Sequence, residues 1–174
     1  TLHPEMGPNI LAEELEKRVA ERTAALAAAN ETLRAAEEQF RGLVEQSIAG
    51  IYIIQDDKLA YVNPRFAEIR GFGSADELIG RDPMPLVAEK DRGTVAENRR
   101  RLLSGEVPSI NYNFTALRKD GSAVEVGVSS TGASYRGRPA IIGMMQDISE
   151  KKRAEEQIQR YVAQLKTAFM STVE

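Results

Sequence analysis

Side chains able to do chemistry are sparse in these 174 residues. There is no cysteine, which excludes disulfides, thiolate metal sites and thiol nucleophiles. The single histidine is His3, in a leader that also carries Pro4, Gly7 and Pro8. Asp56-Asp57 offers two carboxylates, but neighbours in a hairpin turn diverge, and a solvated turn accounts for them. Asn98-Arg99-Arg100-Arg101 offers cations for an anion, yet helical geometry spreads such a run around the axis and gives a solvated face. No glycine-rich phosphate loop occurs, and no histidine stands beside a nucleophile. No catalytic residue is therefore assigned, and no metal ligand.

Charge narrows the partners further. Lysine and arginine number 23 against 26 aspartates and glutamates, a slightly negative balance that favours neither nucleic acid nor an anionic membrane. No apolar run approaches the ~18 residues of a membrane span, and the N-terminus lacks a signal-peptide pattern. The expectation is a cytoplasmic piece without direct membrane contact, whose parent protein can still be membrane-anchored.

The elements that could position anything are easier to read. Residues 1–9 form an expected disordered leader, with Asn9 available to cap the helix after it. Residues 10–46 are rich in Ala, Glu, Arg and Leu, a strongly helical composition. In heptads, Ala12, Val19, Leu26, Leu33 and Phe40 fall at a, and Leu15, Arg22, Ala29, Ala36 and Leu43 at d. A 4-3 alternation sustained this long predicts a coiled coil. Leu15, Val19, Leu26, Leu33, Phe40 and Leu43 are its expected dimer seam. Arg22 and the small alanines loosen that seam, which suits a helix meant to shift or rotate. A long amphipathic helix lying on its own domain is the competing reading.

Beyond residue 47 the period changes. Ile51 to Ile54 and Leu59 to Val62 are β-rich runs split by Gln55-Asp56-Asp57, the pattern of a hairpin. Asn63-Pro64 then starts a helix, with Asn as cap and Pro at its first position. Ser74-x-x-Glu77 reads as a capping box. Residues 88–104 have helical periodicity through Val95, Leu102 and Leu103. Ile110, Tyr112, Phe114 and Ala116 alternate, as do Val124, Val126 and Val128 after the Lys119-Asp120-Gly121 turn. Ile141 to Gln146 is nearly all apolar, so both faces of that strand are expected to be covered, one by the domain's own helices and the other by the N-terminal helix or a second subunit. Asp147 and Glu150 can form a second capping box, opening a final helix that runs towards Glu174.

The stretch AGIYIIQDDKLAYVNPRFAEIRGF, followed by Glu77-Leu78-Ile79-Gly80-Arg81, Arg118-Lys119-Asp120-Gly121-Ser122 and Asp147-Ile148-Ser149-Glu150-Lys151-Lys152-Arg153, resembles a PAS domain. The resemblance spans about Phe40 to Glu156 and implies an α+β fold. Its sheet would have five antiparallel strands with helices on one face, between long N- and C-terminal helices. It implies a sensory or dimerising module, not an enzyme, with a PAS domain at 47–149 and a linker helix at 150–174. It further implies a cavity between sheet and helices. Ile53, Tyr61, Phe66, Leu78, Val95, Leu102, Tyr112, Phe114, Val126 and Met144 are its candidate lining; the alternative is that they simply fill the core.

The family also frames what the missing residue types mean. Haem-binding members need an axial histidine, and light-sensing flavin members and thioester-linked chromophores need a cysteine. Neither is available inside this domain, so the expectation is no haem, no covalent flavin and no metal. A small organic or acyl ligand, a non-covalent cofactor or no ligand remains. Asp147, Ile148, Ser149 and Glu150 are the expected signal relay. The closing KTAFMSTVE resembles the lead-in to an output domain in cis, of the HD-GYP cyclic-di-GMP phosphodiesterase type or a histidine kinase. The expected partner is a second copy in a parallel homodimer, with no nucleic acid. The competing function is a ligand-free structural dimerisation module with a filled core.

Overall fold

The computed structural model describes residues 7–172. The expected leader lies mostly outside them, as do His3 and Glu174. The chain divides between Val44 and Glu45 into two units. The first is one helix, α1 (Pro8–Glu45). It begins two residues before the expected Ile10, with proline at its first position, where a missing N–H costs nothing. Asn9 therefore sits inside the first turn instead of capping it. No residue of α1 is buried, and all six seam residues are more than half exposed.

The second unit is built on one antiparallel sheet. Its strands are β1 (Gly50–Gln55), β2 (Lys58–Val62), β3 (Ser109–Leu117), β4 (Ala123–Tyr135) and β5 (Arg138–Asp147). They lie in the order β2-β1-β5-β4-β3. Two helices, α2 (Pro64–Ile69) and α3 (Arg92–Leu103), and three 3₁₀ turns connect β2 to β3. A final helix, α4 (Ser149–Ser171), comes directly after β5. Asp56 and Asp57 are the turn between β1 and β2, both with positive φ, as a tight hairpin between right-twisted strands requires.

Asn63 shows why α2 starts where it does. Its Oδ1 accepts the Phe66 amide at 3.0 Å, the expected cap. The same oxygen accepts the Ile51 amide at 2.8 Å, and its Nδ2 donates to the Ala49 carbonyl at 3.0 Å. One buried side chain thus fastens the helix to the first strand. Glu77 also behaves as expected, its carboxylate accepting the Gly73 amide at 2.9 Å beside the cap residue Ser74.

The core lies between the inner sheet face and α2 and α3, and includes Phe66, Leu78, Val95, Leu102, Phe114, Val126 and Ile141. On the opposite face of β5, Ile142 and Met144 are 38% and 48% exposed. No helix among the described residues is long and apolar enough to cross a membrane.

Candidate functional site

A small cavity of about 30 Å³ lies under the inner face of the sheet. Each element brings residues at its own period. Tyr52 and Ile54 alternate on β1, and Ile141 and Met145 share the inner face of β5. Val95, Arg99 and Leu102 recur at 4-3 spacing on α3, and Phe66 and Arg70 lie four apart at α2. Tyr112 and Phe114 come from β3 with ring centroids 5.8 Å apart, and Ser130 from β4.

Of the ten candidate lining residues, Phe66, Val95, Leu102, Tyr112 and Phe114 border the cavity. Leu78 and Val126 are fully buried but stand in the surrounding core. Ile53, Tyr61 and Met144 are corrections, because they lie off the inner face. Ile53 is paired across the strands with Tyr61 and with Ile142, while Tyr52 and Ile54 point inward. The run Ile51-Tyr52-Ile53-Ile54 has no apolar–polar alternation, so its pattern does not reveal which parity faces in. An irregularity in the β1–β2 register then sets Leu59 opposite Ile54 and turns Leu59, not Tyr61, inward. On β5 the inward set is Ile141, Gly143 and Met145. Gly143 is required there: a Cβ on it would collide with the ring and hydroxyl of Tyr52.

Sequence reasoning missed the polar content of the cavity. Arg70 is 1% exposed, and its Nε and Nη1 have no hydrogen-bond partner among the described residues. Its guanidinium carbon stands 5.8 Å from the Phe66 ring centre. Burial pulls its pKa down to about 10, and the positive charge of Arg99 adds to the fall. Arg99 itself belongs to the cavity wall, unlike Arg100 and Arg101, which pair with Glu97 and Glu106 on the surface. The Tyr52 hydroxyl shares a 2.7 Å hydrogen bond with Ser130 Oγ. Burial raises the pKa of both Tyr52 and Tyr112, so both stay protonated. The four-residue steps from Phe66 to Arg70 and from Val95 to Arg99 were the available signal.

The exit from the sheet is held by a second polar group. Asp147 Oδ1 accepts the Ser149 amide at 2.9 Å, and the Ile148 amide donates to the Glu125 carbonyl at 3.0 Å. The expected reciprocal box with Glu150 does not form. Ile148 is the cap position, so Glu150 falls at the second helical residue, one short of the position a box needs. Asp147 instead makes a local turn to the residue two ahead. Arg118 stands 3.9 Å from its other oxygen, and Lys152 reaches Glu125 at 3.2 Å. Partial burial raises the Asp147 pKa, but the bonds from Ser149 outweigh it and the net shift is downward. The Thr115 hydroxyl, at 2.6 Å, is the main cause of a lowered pKa at Glu125, with Lys152 contributing.

The family model for the PAS fold matches residues 38–148. The chain belongs to the PAS family. The PAS domain of an HTR-like protein from Haloarcula marismortui superposes with a TM-score of 0.60 at 22% identity, over 70% of this chain and 99% of that one. Sporulation kinase A of Bacillus subtilis is 26% identical over 124 residues, 71% of this chain and 20% of the kinase. The methyl sulfide methyltransferase-associated sensor of Methanosarcina acetivorans is 24% identical over 128 residues, 73% of this chain and 13% of the sensor. The chain thus spans a fifth or less of the curated relatives it matches. PAS domains are regulatory sensor modules and not catalysts, and the two curated relatives named above are a sensor and a kinase.

Proposed function

We propose that this PAS domain senses a small organic molecule in its cavity and relays occupancy through β5 to α4. The observation that carries this is one strand serving two places. β5 lines the cavity with Ile141 and Met145, and two residues later Asp147 bonds the first residue of α4. A ligand acts only if it binds two arrangements of this junction with different affinity. In this reading Asp147, Ile148 and Ser149 carry the signal, with Glu150 in the first turn they anchor.

The working unit is a parallel homodimer in the cytoplasm, paired through Leu15, Val19, Leu26, Leu33, Phe40 and Leu43 of α1. Apolar side chains at heptad spacing, exposed along one helix, support this. The signal passes in cis to an output domain beyond α4. A histidine kinase is supported by the likeness to Sporulation kinase A, and the closing KTAFMSTVE equally resembles the lead-in to an HD-GYP phosphodiesterase. The cavity ligand is neither haem, metal nor covalent flavin, given the residue types that line it. The small size of the cavity favours a second reading, a ligand-free dimerisation module.

Val95→Ala decides between them, since it alters the cavity far from α4. If the relay exists, amide chemical shifts of Ser149 to Leu165 move in this variant, and the movement is lost when Asp147→Ala is added. Shifts confined to the cavity walls would reject the relay and leave the dimerisation module.

A further inference from the structure

We infer that the cavity takes a short-chain aliphatic monocarboxylate, its carboxylate on Arg70 with Arg99 nearby and its tail against apolar walls. This rests on the reading of the cavity as the sensory site. A buried cation is costly unless it is paired and hydrogen-bonded. Arg70 is buried, yet its Nε and Nη1 find no acceptor among the described residues. No aspartate or glutamate lines the cavity, while a second guanidinium, Arg99, does. The two like charges oppose each other, which is part of why the Arg70 pKa is lowered. An anion would relieve both penalties together.

The remaining walls choose among anions. Tyr52 and Tyr112 stay protonated through burial and cannot compete as anions. The Tyr52–Ser130 hydroxyl pair can turn its protons to complement a ligand oxygen. The other walls, among them Leu59, Val95, Leu102 and Met145, are apolar and suit a hydrocarbon tail. A phosphate has no use for them. A guanidinium matches a carboxylate in geometry as well as charge. A volume of about 30 Å³ is room for about two water molecules, so acetate is the smallest ligand of this class to enter, with a slight displacement of the walls, and longer chains require α3 to move.

The test titrates sodium acetate and sodium propionate into the whole chain at constant ionic strength, following backbone amide shifts. Acetamide and propionamide are the neutral isosteres; sodium chloride and phosphate are the anion controls. Saturable shifts at Tyr52, Arg70, Val95 and Ser130 are expected with the carboxylates, with midpoints at least tenfold lower than for the amides. Arg70→Met should raise the carboxylate midpoint at least tenfold. Methionine fills similar space without charge, so this variant should melt no lower than wild type in carboxylate-free buffer. If Arg70→Met does not fold, the comparison of carboxylate with amide on the wild-type protein decides alone. Equal midpoints for carboxylate and amide, or saturation by chloride or phosphate at the same concentrations, would overturn the carboxylate assignment and leave a sensory cavity. No saturation by any of these molecules would overturn the carboxylate assignment, and the Val95→Ala and Asp147→Ala shifts then decide the sensory reading by themselves.

Discussion

Asn63→Ala removes the side chain that joins β1 to α2. The hydrogen bonds from Ile51 and Phe66 and to Ala49 go with it. Asn63 is completely buried, so water cannot easily replace them. At about 1 kcal/mol for each polar group left unsatisfied, the loss is about 3 kcal/mol. That is a large share of the roughly 5–15 kcal/mol that holds a domain together. Equilibrium urea unfolding reads it directly: with a slope of about 1.5 kcal/mol per molar, the midpoint falls by roughly 2 M. Asn63→Ser separates the parts. Serine can still cap α2 but cannot reach Ile51 and Ala49, so it should recover only about 1 kcal/mol. A midpoint shift below about 0.5 M for the alanine variant would refute the reasoning. So would a serine variant as stable as wild type, because the helix cap would then be the whole contribution.

Gly143→Ala places a methyl against Tyr52 and should destabilise the domain by about 1–3 kcal/mol in urea, with Tyr52 pushed off Ser130. Leu26→Asp with Leu33→Asp puts charge into the proposed α1 seam, and light scattering should report monomer where the wild type is dimer. Acidification should free the start of α4. Asp147 and Glu125 have lowered pKa values when folded, so their contribution is present above the ordinary carboxylate range and is lost as pH falls through the folded values. Amide protection factors at Ser149 to Arg153, corrected for the intrinsic pH dependence of exchange, should therefore fall as pH drops below about 4, before the sheet loses protection.

Local chemistry was the legible part of this chain. Asn63-Pro64 and Ser74-x-x-Glu77 announce helix starts because the capping groups sit within three residues of their targets. The hairpin turns and the order of elements come from the same short-range rules. What depends on tertiary placement was not legible. The two extra bonds of Asn63 reach twelve and fourteen residues back, which no local pattern records. Uniformly apolar strands hide their parity, so Ile53 and Met144 read as inward, and a register irregularity at Ile53/Ile54 displaces Tyr61 as well. Arg70 and Arg99 look like solvated helix residues by type, although their spacing from Phe66 and Val95 puts them on buried faces. Asp147 reads as an anchor in the sequence and is one, but a one-residue difference in where α4 begins changes its partner from a distant box to the adjacent turn.

The strand order has a consequence for how the domain comes into being. β5 is the last strand to be synthesised, yet it lies in the middle of the sheet, between β1 and β4. Before it emerges, the nascent chain can form only two separate hairpins, Gly50 to Val62 and Ser109 to Tyr135. Each then shows an open inner edge, the kind of surface that recruits stray strands. Pairing Gly50 with Met145 closes a loop across nearly the whole domain, and such non-local closure slows folding. The sheet is therefore completed by the same residues that lead into α4. A chain interrupted before Ile141 would leave two unpaired edges and no helix outlet, a species for chaperones to hold and not a weaker sensor.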